Sequence, residues 1–371
     1  MNFSQFTSES VCAGHPDKIC DAISDAILDS AYLADPKSRV AVETLVTKNF
    51  VTIAGEVTSK AILDYAQIAR QVIKSLGYTD PRFGFTDQAE IVVKVHTQSP
   101  EIAQGVDSDG AGDQGMMFGY ACRQTKELMP LPIQLAHEIT RSIDTARESS
   151  SIPGLRPDGK AQVTIRYDKG QPLDLSCVVM AVPHDENISP AELKKHLFDL
   201  VLTPLLTKYN LTYRLADLVV NGTGVWHLPG PASDTGVTGR KIVVDTYGGY
   251  ARVGGGAFSG KDLTKVDRSG AYAARFLAKN IVASGLADEC EVALAYFIGA
   301  QKPVMQSFET FGTAKKSMKI IQDFADQLLD TSVRGIVTGL DLRRPIYRST
   351  ASYGHFGRDE FPWEKIVSSS A

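Results

Sequence analysis

Several short segments of the 371-residue chain combine cations, carboxylates and glycines at spacings that suit a phosphate-rich ligand. One is Gly14-His15-Pro16-Asp17-Lys18, where Pro16 is placed to begin a helix. His15 would then lie at the helix N-terminus, where free N–H groups and the helix dipole favour an anion. Asp17 offers the hard oxygen ligand that suits Mg²⁺. An ordinary capped helix start has the same residue types, so both interpretations stay open for this segment alone.

The densest group of charges lies in residues 234–241, 254–262 and 265–267, where four cations and three carboxylates alternate with glycines. They are Arg240, Lys241, Lys261, Lys265, Asp234, Asp262 and Asp267. Backbone N–H groups, arginine and lysine together are what a polyphosphate needs, and the carboxylates suggest Mg²⁺ bridging the phosphates. Residues 255–261 fit the first seven positions of a P-loop. Asp262 occupies the eighth position in place of Ser or Thr, and the preceding residues make a poor buried strand, so we reject a P-loop.

Two further segments are less specific. Residues 110–116 place Asp113 among three glycines, which allow close backbone approach to a ligand. Residues 156–160 supply Asp158 and Lys160 just before a predicted strand. Taken alone, the first segment is equally well explained as a plain turn, and the second is better explained as one.

Composition limits the classes of protein that the chain can represent. A hydrophobic fraction of 43%, a charged fraction of 22% and a net charge of −4 are typical of a soluble globular protein and give no reason to expect nucleic acid or a membrane as partner. The five cysteines are widely spaced and include no CxxC pair, so we expect reduced thiols and a cytoplasmic location rather than disulfides or zinc. The length predicts two or three domains.

Hydrophobic periodicity predicts helices alternating with strands that mostly come in adjacent pairs. The predicted helices are residues 16–34, 61–76, 131–147, 190–206, 271–283 and 320–329. The predicted strands are residues 40–46, 51–57, 91–95, 162–167, 173–182, 218–220, 242–244 and 291–298, with residues 99–114 as a loop. This order favours antiparallel sheets covered by helices on one face.

Taken together, these segments resemble the methionine adenosyltransferase (S-adenosylmethionine synthetase) family. The resemblance runs from residue 6 to residue 364, and residues 110–120 and 254–267 resemble the two signature motifs of that family. It implies that methionine sulfur attacks C5′ of ATP in a direct displacement, after which the triphosphate is cleaved to pyrophosphate and phosphate. No side-chain nucleophile is required, so positioning and electrostatic stabilisation would supply the catalysis.

The resemblance also implies a role for individual residues. The catalytic set would be His15, Asp113, Lys160, Arg240, Lys241 and Lys261. The ATP site would comprise His15, Asp158, Gly159, Lys160, Val225, Trp226, Asp234, Arg240, Lys241, Ala257 and Lys261. Methionine would contact Glu56, Gln98, Asp234, Lys265 and Ile298. Asp17 and Asp267 would hold two Mg²⁺ ions, and Glu43 would bind one K⁺ per subunit.

The fold implied by the family is α+β, with three similar subdomains around a pseudo-threefold axis and interleaved chain segments. We expect an N-terminal subdomain at residues 1–98, a flexible active-site loop at 99–112, a central subdomain at 113–229 and a C-terminal subdomain at 230–371. Two subunits would share their active sites, and dimers would pair into a homotetramer.

Two features depart from the bacterial pattern of the family. Val225-Trp226 stands where that pattern has an Arg-Phe pair at the adenine, so Trp226 can stack on the base while the arginine contact is lost. The loop after Gln98 is shorter than in many bacterial relatives, and we hypothesise that its gating of the site is altered.

Two other functions use the same phosphate-binding residues. A Mg²⁺-dependent triphosphatase would need no methionine site, and methionine would not alter its ATP turnover. A non-catalytic regulatory subunit that binds nucleotide would generally have lost the cations and aspartates, which this chain retains. We therefore expect an enzyme.

Overall fold

The computed structural model describes residues 4–97 and 110–367. Within these residues the strands are β1 (Gln5–Val11), β2 (Arg39–Thr47), β3 (Phe50–Thr58), β4 (Glu90–His96), β5 (Gly115–Cys122), β6 (Lys160–Asp168), β7 (Gln171–Ala181), β8 (Val219–Val220), β9 (Gly236–Val237), β10 (Glu289–Tyr296) and β11 (Met305–Glu309). The α-helices are α1 (Pro16–Ala34), α2 (Tyr65–Ser75), α3 (Leu131–Glu148), α4 (Pro190–His196), α5 (Thr203–Tyr209), α6 (Ile242–Asp245), α7 (Val266–Ala283), α8 (Met318–Leu328) and α9 (Val333–Gly339).

The described strands form three sheets, with the orders β1-β6-β7-β8, β4-β3-β2-β9 and β11-β10-β5. Neighbouring strands are antiparallel except for β3–β4 and β7–β8, which are parallel. Each sheet joins strands that are distant in sequence, because β1 pairs with β6, β9 with β2, and β5 with β10. The chain segments are therefore interleaved, as the family fold predicts.

A long helix packs on each sheet: α1 on β2, α3 on β1 and β6, and α7 on β5 and β10. Burial alternates along β2 and β6, as expected for strands that turn one face to a core. The predicted α+β class, with mostly antiparallel sheets and covering helices, is confirmed.

Helix α1 has the predicted bounds, and its local sequence explains both of them. Pro16 occupies the first turn behind the N-cap residue His15, and Asp35 follows the last helical residue in an extended conformation. Ile19, Ile23 and Ile27 are fully buried, as the i, i+4 spacing predicts. The polar side chains of the first turns are buried as well, which the periodicity did not predict.

Helices α2 and α7 begin at residues 65 and 266 rather than at the predicted 61 and 271, and two other predicted elements differ in the type of backbone they form. Residues 242–244 form the single helical turn α6 rather than a strand, because the Asp245 N–H donates to the carbonyl of Lys241 and local packing overrides the β-branched residues. The helix predicted to run from residue 190 to 206 extends to Tyr209 but widens into a π-helical turn at Leu197–Leu202. Pro204 lacks the N–H that a regular helix needs there, which accounts for the wider turn.

Candidate active site

The N-terminus of α1 presents His15 and Asp17 as the sequence predicts. His15 is the N-cap residue, and its Nδ1 accepts a hydrogen bond of 3.2 Å from the backbone N–H of Asp17. Because Nδ1 accepts, the proton of the neutral imidazole lies on Nε2, which is left to donate to a ligand. His15 is 1% exposed, and its pKa is lowered to about 3 by burial and by the charges of Lys241 and Lys160. The imidazole is therefore a neutral hydrogen-bond donor at physiological pH.

Asp17 is the carboxylate around which the nearest cations collect. Lys241 Nζ lies 2.5 Å from its Oδ2 and Arg240 Nε lies 3.3 Å from its Oδ1, which also accepts a 3.0 Å hydrogen bond from the Val237 N–H. Burial disfavours the charged form of Asp17, but the hydrogen bonds from Lys241 and Val237 outweigh it and lower its pKa. Asp17 is therefore an ionised carboxylate held beside two cations.

Asp158 and Lys160, at the start of β6, form a second part of the candidate site near the N-terminus of α1. Buried Asp158 accepts a hydrogen bond of 3.0 Å from the Gly230 N–H, which ties the start of β6 to the segment that follows Trp226. Burial raises the pKa of Asp158 to about 7. Lys160 is exposed, and its charge is one cause of the lowered pKa of His15, so it lies close to the α1 terminus.

The residues predicted to surround adenine lie on that same segment. Trp226 is half-buried, and its Nε1 donates a 2.7 Å hydrogen bond to the carbonyl of Leu228. Val225 and Asp234 are exposed, and the Asp234 N–H donates to the carbonyl of Gly230 at 3.2 Å. The structure therefore places residues 225–234 beside Asp158, at the start of β6.

The glycine-rich segment before α7 forms the adjoining half of the site. Lys261 Nζ lies 2.7 Å from Asp267 Oδ2, and a bridge joins Lys261 to Ala41 of β2. A Cβ atom on Gly256 would lie 2.0 Å from Asp267 Cγ, so only glycine allows the backbone this close to the carboxylate. Ala257 contacts Gly239, the residue before Arg240. The glycine-rich segment before α7 therefore touches the segment that carries Arg240 and Lys241.

A cleft of about 560 Å³ opens beside this segment and contains Glu43, Glu56, Ala257 and Lys261 in its lining. Glu56 Oε1 lies 3.3 Å from His96 Nε2, across the parallel pair of β3 and β4. The volume is within the usual range for a small-molecule site. The structure thus brings one predicted methionine residue, Glu56, and the predicted potassium residue, Glu43, into one cavity with two predicted ATP residues.

Asp113, Lys265 and Ile298 lie on three segments that are hydrogen-bonded together. The Gly112 N–H donates to Thr264 O, and Ala111 exchanges backbone hydrogen bonds with Gly299 and Ala300. Asp113 and Ile298 are exposed, whereas Lys265 is paired with the buried Asp262. Gln98 and residues 99–109 of the predicted loop lie outside the described residues.

The sequence alone assigns no role to three charged residues that the structure places in the interior, next to the segment that carries Arg240 and Lys241. They are Lys18, Asp21 and Asp245, all buried. Lys18 is paired with both aspartates, and the Gly239 N–H donates to Asp21 at 2.9 Å. The available signal was that Lys18 and Asp21 enclose the apolar pair Ile19-Cys20 within a buried helix. A charge at such a position needs a buried partner.

Across residues 4–97 and 110–367, no three His, Cys, Asp or Glu side chains converge in a way that could hold a metal ion. Asp17 and Asp267 are instead single carboxylates, each beside a lysine. That arrangement fits Mg²⁺, which is commonly bound by one or two carboxylates together with substrate phosphates. None of the helices in the described part of the chain is long and apolar enough to cross a membrane.

Comparison with known proteins agrees with this architecture. Three family profiles match in order: the N-terminal domain of S-adenosylmethionine synthetase over residues 4–100, the central domain over 108–226 and the C-terminal domain over 228–365. The S-adenosylmethionine synthase of Sulfurovum sp. (strain NBC37-1) is 49% identical over 368 residues, which is 97% of this chain and 95% of the relative. S-adenosylmethionine synthase 1 of Rhodospirillum rubrum is 51% identical over 366 residues, with the same coverage.

The fold and these matches define a three-domain α+β enzyme of the transferase class. The chain belongs to the S-adenosylmethionine synthetase family.

Proposed function

We propose that this chain catalyses the formation of S-adenosylmethionine from ATP and L-methionine. The observation that carries the proposal is the collection of His15, Arg240 and Lys241 around the buried carboxylate of Asp17, with Lys160 nearby. A triphosphate leaving group carries about four negative charges, and a preorganised group of cations and N–H donors is what stabilises it. The family membership supplies methionine and ATP as the substrates.

In the proposed reaction, the methionine sulfur attacks C5′ of ATP and the bond between C5′ and the bridging oxygen breaks. The sulfur becomes a sulfonium, and the electron pair of the broken bond leaves with the triphosphate. Water then cleaves the triphosphate to pyrophosphate and phosphate. No residue forms a covalent intermediate, so the chain contributes orientation and charge stabilisation.

The role that we propose for each described residue is consistent with its surroundings. His15 Nε2–H donates to the oxygen that leaves C5′, because the imidazole is neutral and its Nδ1 is already occupied. Arg240, Lys241, Lys160 and Lys261 bind the phosphates. Asp158 accepts from the nucleoside and Trp226 stacks on adenine. Glu56, Asp234, Lys265 and Ile298 bind methionine, and Asp113 faces both substrates.

The metal ions of the proposal are Mg²⁺ at Asp17 and Asp267 and K⁺ at Glu43. When bound, Mg²⁺ held by Asp17 and Asp267 would neutralise charge on the phosphates. Lys241 Nζ lies 2.5 Å from Asp17 and Lys261 Nζ lies 2.7 Å from Asp267, so both lysines are beside the carboxylates that would hold the metal.

We further propose a cytoplasmic homodimer that shares its active sites and pairs into a tetramer. The exposed apolar side chains Phe297 and Ile298, on the segment hydrogen-bonded to Ala111, support a partner surface beside the site. Size-exclusion chromatography with light scattering would test the oligomeric state, and a monomer that is fully active would contradict shared sites.

Mass spectrometry on the purified protein with ATP, L-methionine, Mg²⁺ and K⁺ tests the reaction, with a control lacking methionine. We expect a methionine-dependent S-adenosylmethionine peak and equal amounts of pyrophosphate and phosphate. Phosphate release without that peak would favour the triphosphatase instead. No turnover would favour a non-catalytic nucleotide-binding subunit.

A further inference from the structure

Lys18, Asp21 and Asp245 form a buried charged group behind the cations of the site. Lys18 Nζ lies 2.8 Å from Asp21 Oδ2 and 2.5 Å from Asp245 Oδ1, and the three side chains are at most 2% exposed. Although Lys18 belongs to the same motif as His15 and Asp17, its ammonium is directed into the protein interior. A role in direct contact with phosphate is therefore excluded for Lys18.

The group holds both ends of the segment that carries Arg240 and Lys241. At one end, the Gly239 N–H donates a 2.9 Å hydrogen bond to Asp21 Oδ1. At the other end, the Asp245 side chain binds Lys18, and its backbone N–H donates to Lys241 O at 2.8 Å. Asp21 thus attaches α1 to one end of residues 239–245 and Lys18 attaches it to the other, and Arg240 and Lys241 lie between the two attachments.

The charge of Lys18 is maintained in the interior by its two carboxylate partners, whereas burial raises the pKa of Asp21 and raises that of Asp245 to about 7. Burial alone would lower the pKa of Lys18, but the charges of Asp21 and Asp245 outweigh it and raise that pKa. A buried ion pair commonly adds little net stability compared with apolar residues of similar volume. What the group supplies here is geometry, because it attaches both ends of residues 239–245 to α1.

We propose that Lys18 and Asp21 are positioning residues that hold Arg240 and Lys241 in place for the triphosphate of the substrate. The inference rests on the proposed function and adds to it two residues that touch no substrate. Loss of this attachment would let residues 239–245 move relative to α1, and the cations would then have to be ordered at each binding event. The affinity for triphosphate should fall and the step that expels it should slow.

The test compares Asp21→Asn with Glu364→Gln as a matched control. Glu364 is likewise a buried carboxylate in an ion-pair network, with Arg275 and Lys279, but its hydrogen bonds do not reach residues 239–245. Calorimetric titration with inorganic tripolyphosphate and Mg²⁺ gives the affinity, and circular dichroism confirms folding. We expect Asp21→Asn to weaken tripolyphosphate binding at least tenfold, and Glu364→Gln to remain within twofold of wild type.

Steady-state kinetics separates positioning from a general structural effect. Asp21→Asn should raise the KM for ATP and lower kcat while the KM for methionine stays within twofold. Asp245→Asn, which loosens the other attachment, should show the same pattern. If either folded variant binds tripolyphosphate with wild-type affinity and keeps the wild-type KM for ATP, the proposal is wrong.

A measurement on the wild-type protein covers the case in which neither variant folds. Hydrogen exchange followed by mass spectrometry should show residues 239–245 protected to the same degree as α1 without any ligand. Exchange as fast as that of exposed loops would overturn the proposal. If the wild type binds tripolyphosphate but forms no S-adenosylmethionine, the proposed function fails, and the positioning role is still decided by the tripolyphosphate affinities.

Discussion

Lys241 Nζ lies 2.5 Å from the buried carboxylate of Asp17, so the lysine proposed to bind phosphate and the carboxylate proposed to bind metal are paired with each other. The pairing places opposite charges side by side in the site. A Mg²⁺–ATP complex would satisfy both partners at once, since its metal would meet the carboxylate and its phosphates would meet the lysine. The site is therefore preorganised for a ligand that carries both charges.

This relationship predicts that Asp17→Asn, combined with Asp267→Asn, raises the Mg²⁺ concentration needed for half-maximal activity at least tenfold. Both substitutions remove an anionic metal ligand while keeping side-chain volume. The measurement is a Mg²⁺ titration of the initial rate at saturating ATP and methionine. Asp29→Asn is the control, because Asp29 is on the same helix as Asp17 and its carboxylate accepts from the backbone N–H groups of Tyr347 and Arg348. An unchanged Mg²⁺ requirement in the double variant would remove these aspartates as metal ligands.

A second prediction concerns Lys160, the exposed cation near His15. Lys160→Met should lower kcat about 100-fold, the usual cost of losing one preorganised donor to a developing charge, and leave the fold intact. Lys169→Met provides the control, because Lys169 is an exposed lysine in the turn that follows β6, the strand that begins with Lys160. The measurements are kcat for the two variants and their circular dichroism spectra, which report whether the fold is intact. Near-normal turnover of Lys160→Met would refute its assigned role.

Trp226 offers a test of the adenine site. Trp226→Ala should raise the KM for ATP about tenfold and the KM for methionine by less than twofold, because an aromatic stacking contact is worth roughly 1–3 kcal/mol. Trp226→Phe, which keeps a ring, should recover most of the loss. Kinetics with each substrate varied separately gives the two constants. A larger effect on methionine than on ATP would contradict stacking on the base.

The sequence predicted the elements that carry strong periodicity and missed those that depend on distant contacts. Helix α1 has its predicted bounds because Pro16 and the isoleucines mark it locally. Strand β5 was not predicted, since its two glycines weaken the strand signal. Gly119 is nevertheless required there, because a Cβ atom on it would lie 1.9 Å from the backbone of Ala274 in α7. That contact joins residues far apart in the chain and leaves no local pattern.

The residues of the candidate site likewise divide into those that the sequence predicted and those that it missed. His15, Asp17 and the glycine-rich segments could be selected from residue type and spacing, and the structure brings them together. The partners that hold them could not be selected, because Asp21 and Gly239 are separated by more than 200 residues and meet only in the folded chain. Burial of Lys18 is likewise a property of the packed sheets rather than of α1.

The lowered pKa of His15 predicts a specific dependence of stability on pH. The folded imidazole has a pKa of about 3, whereas an unfolded histidine titrates near 6.5, so between these values the unfolded state binds more protons. The free energy of unfolding should therefore fall as pH falls below 6.5. At pH 5 the contribution of His15 should be lower than at pH 7 by about 2 kcal/mol.

Denaturant unfolding of the wild type and His15→Asn from pH 7 to pH 5 measures this contribution. Asparagine is a good N-cap residue and does not titrate, so it removes the imidazole while keeping the cap. We expect the difference in free energy of unfolding between the two proteins to change by about 2 kcal/mol across this range, in the direction that favours the variant at low pH. Both proteins are compared at one chain concentration, because oligomerisation also contributes to apparent stability. Parallel pH profiles would show that His15 titrates alike in the folded and unfolded states, and its role as a neutral donor to the leaving oxygen would have to be abandoned.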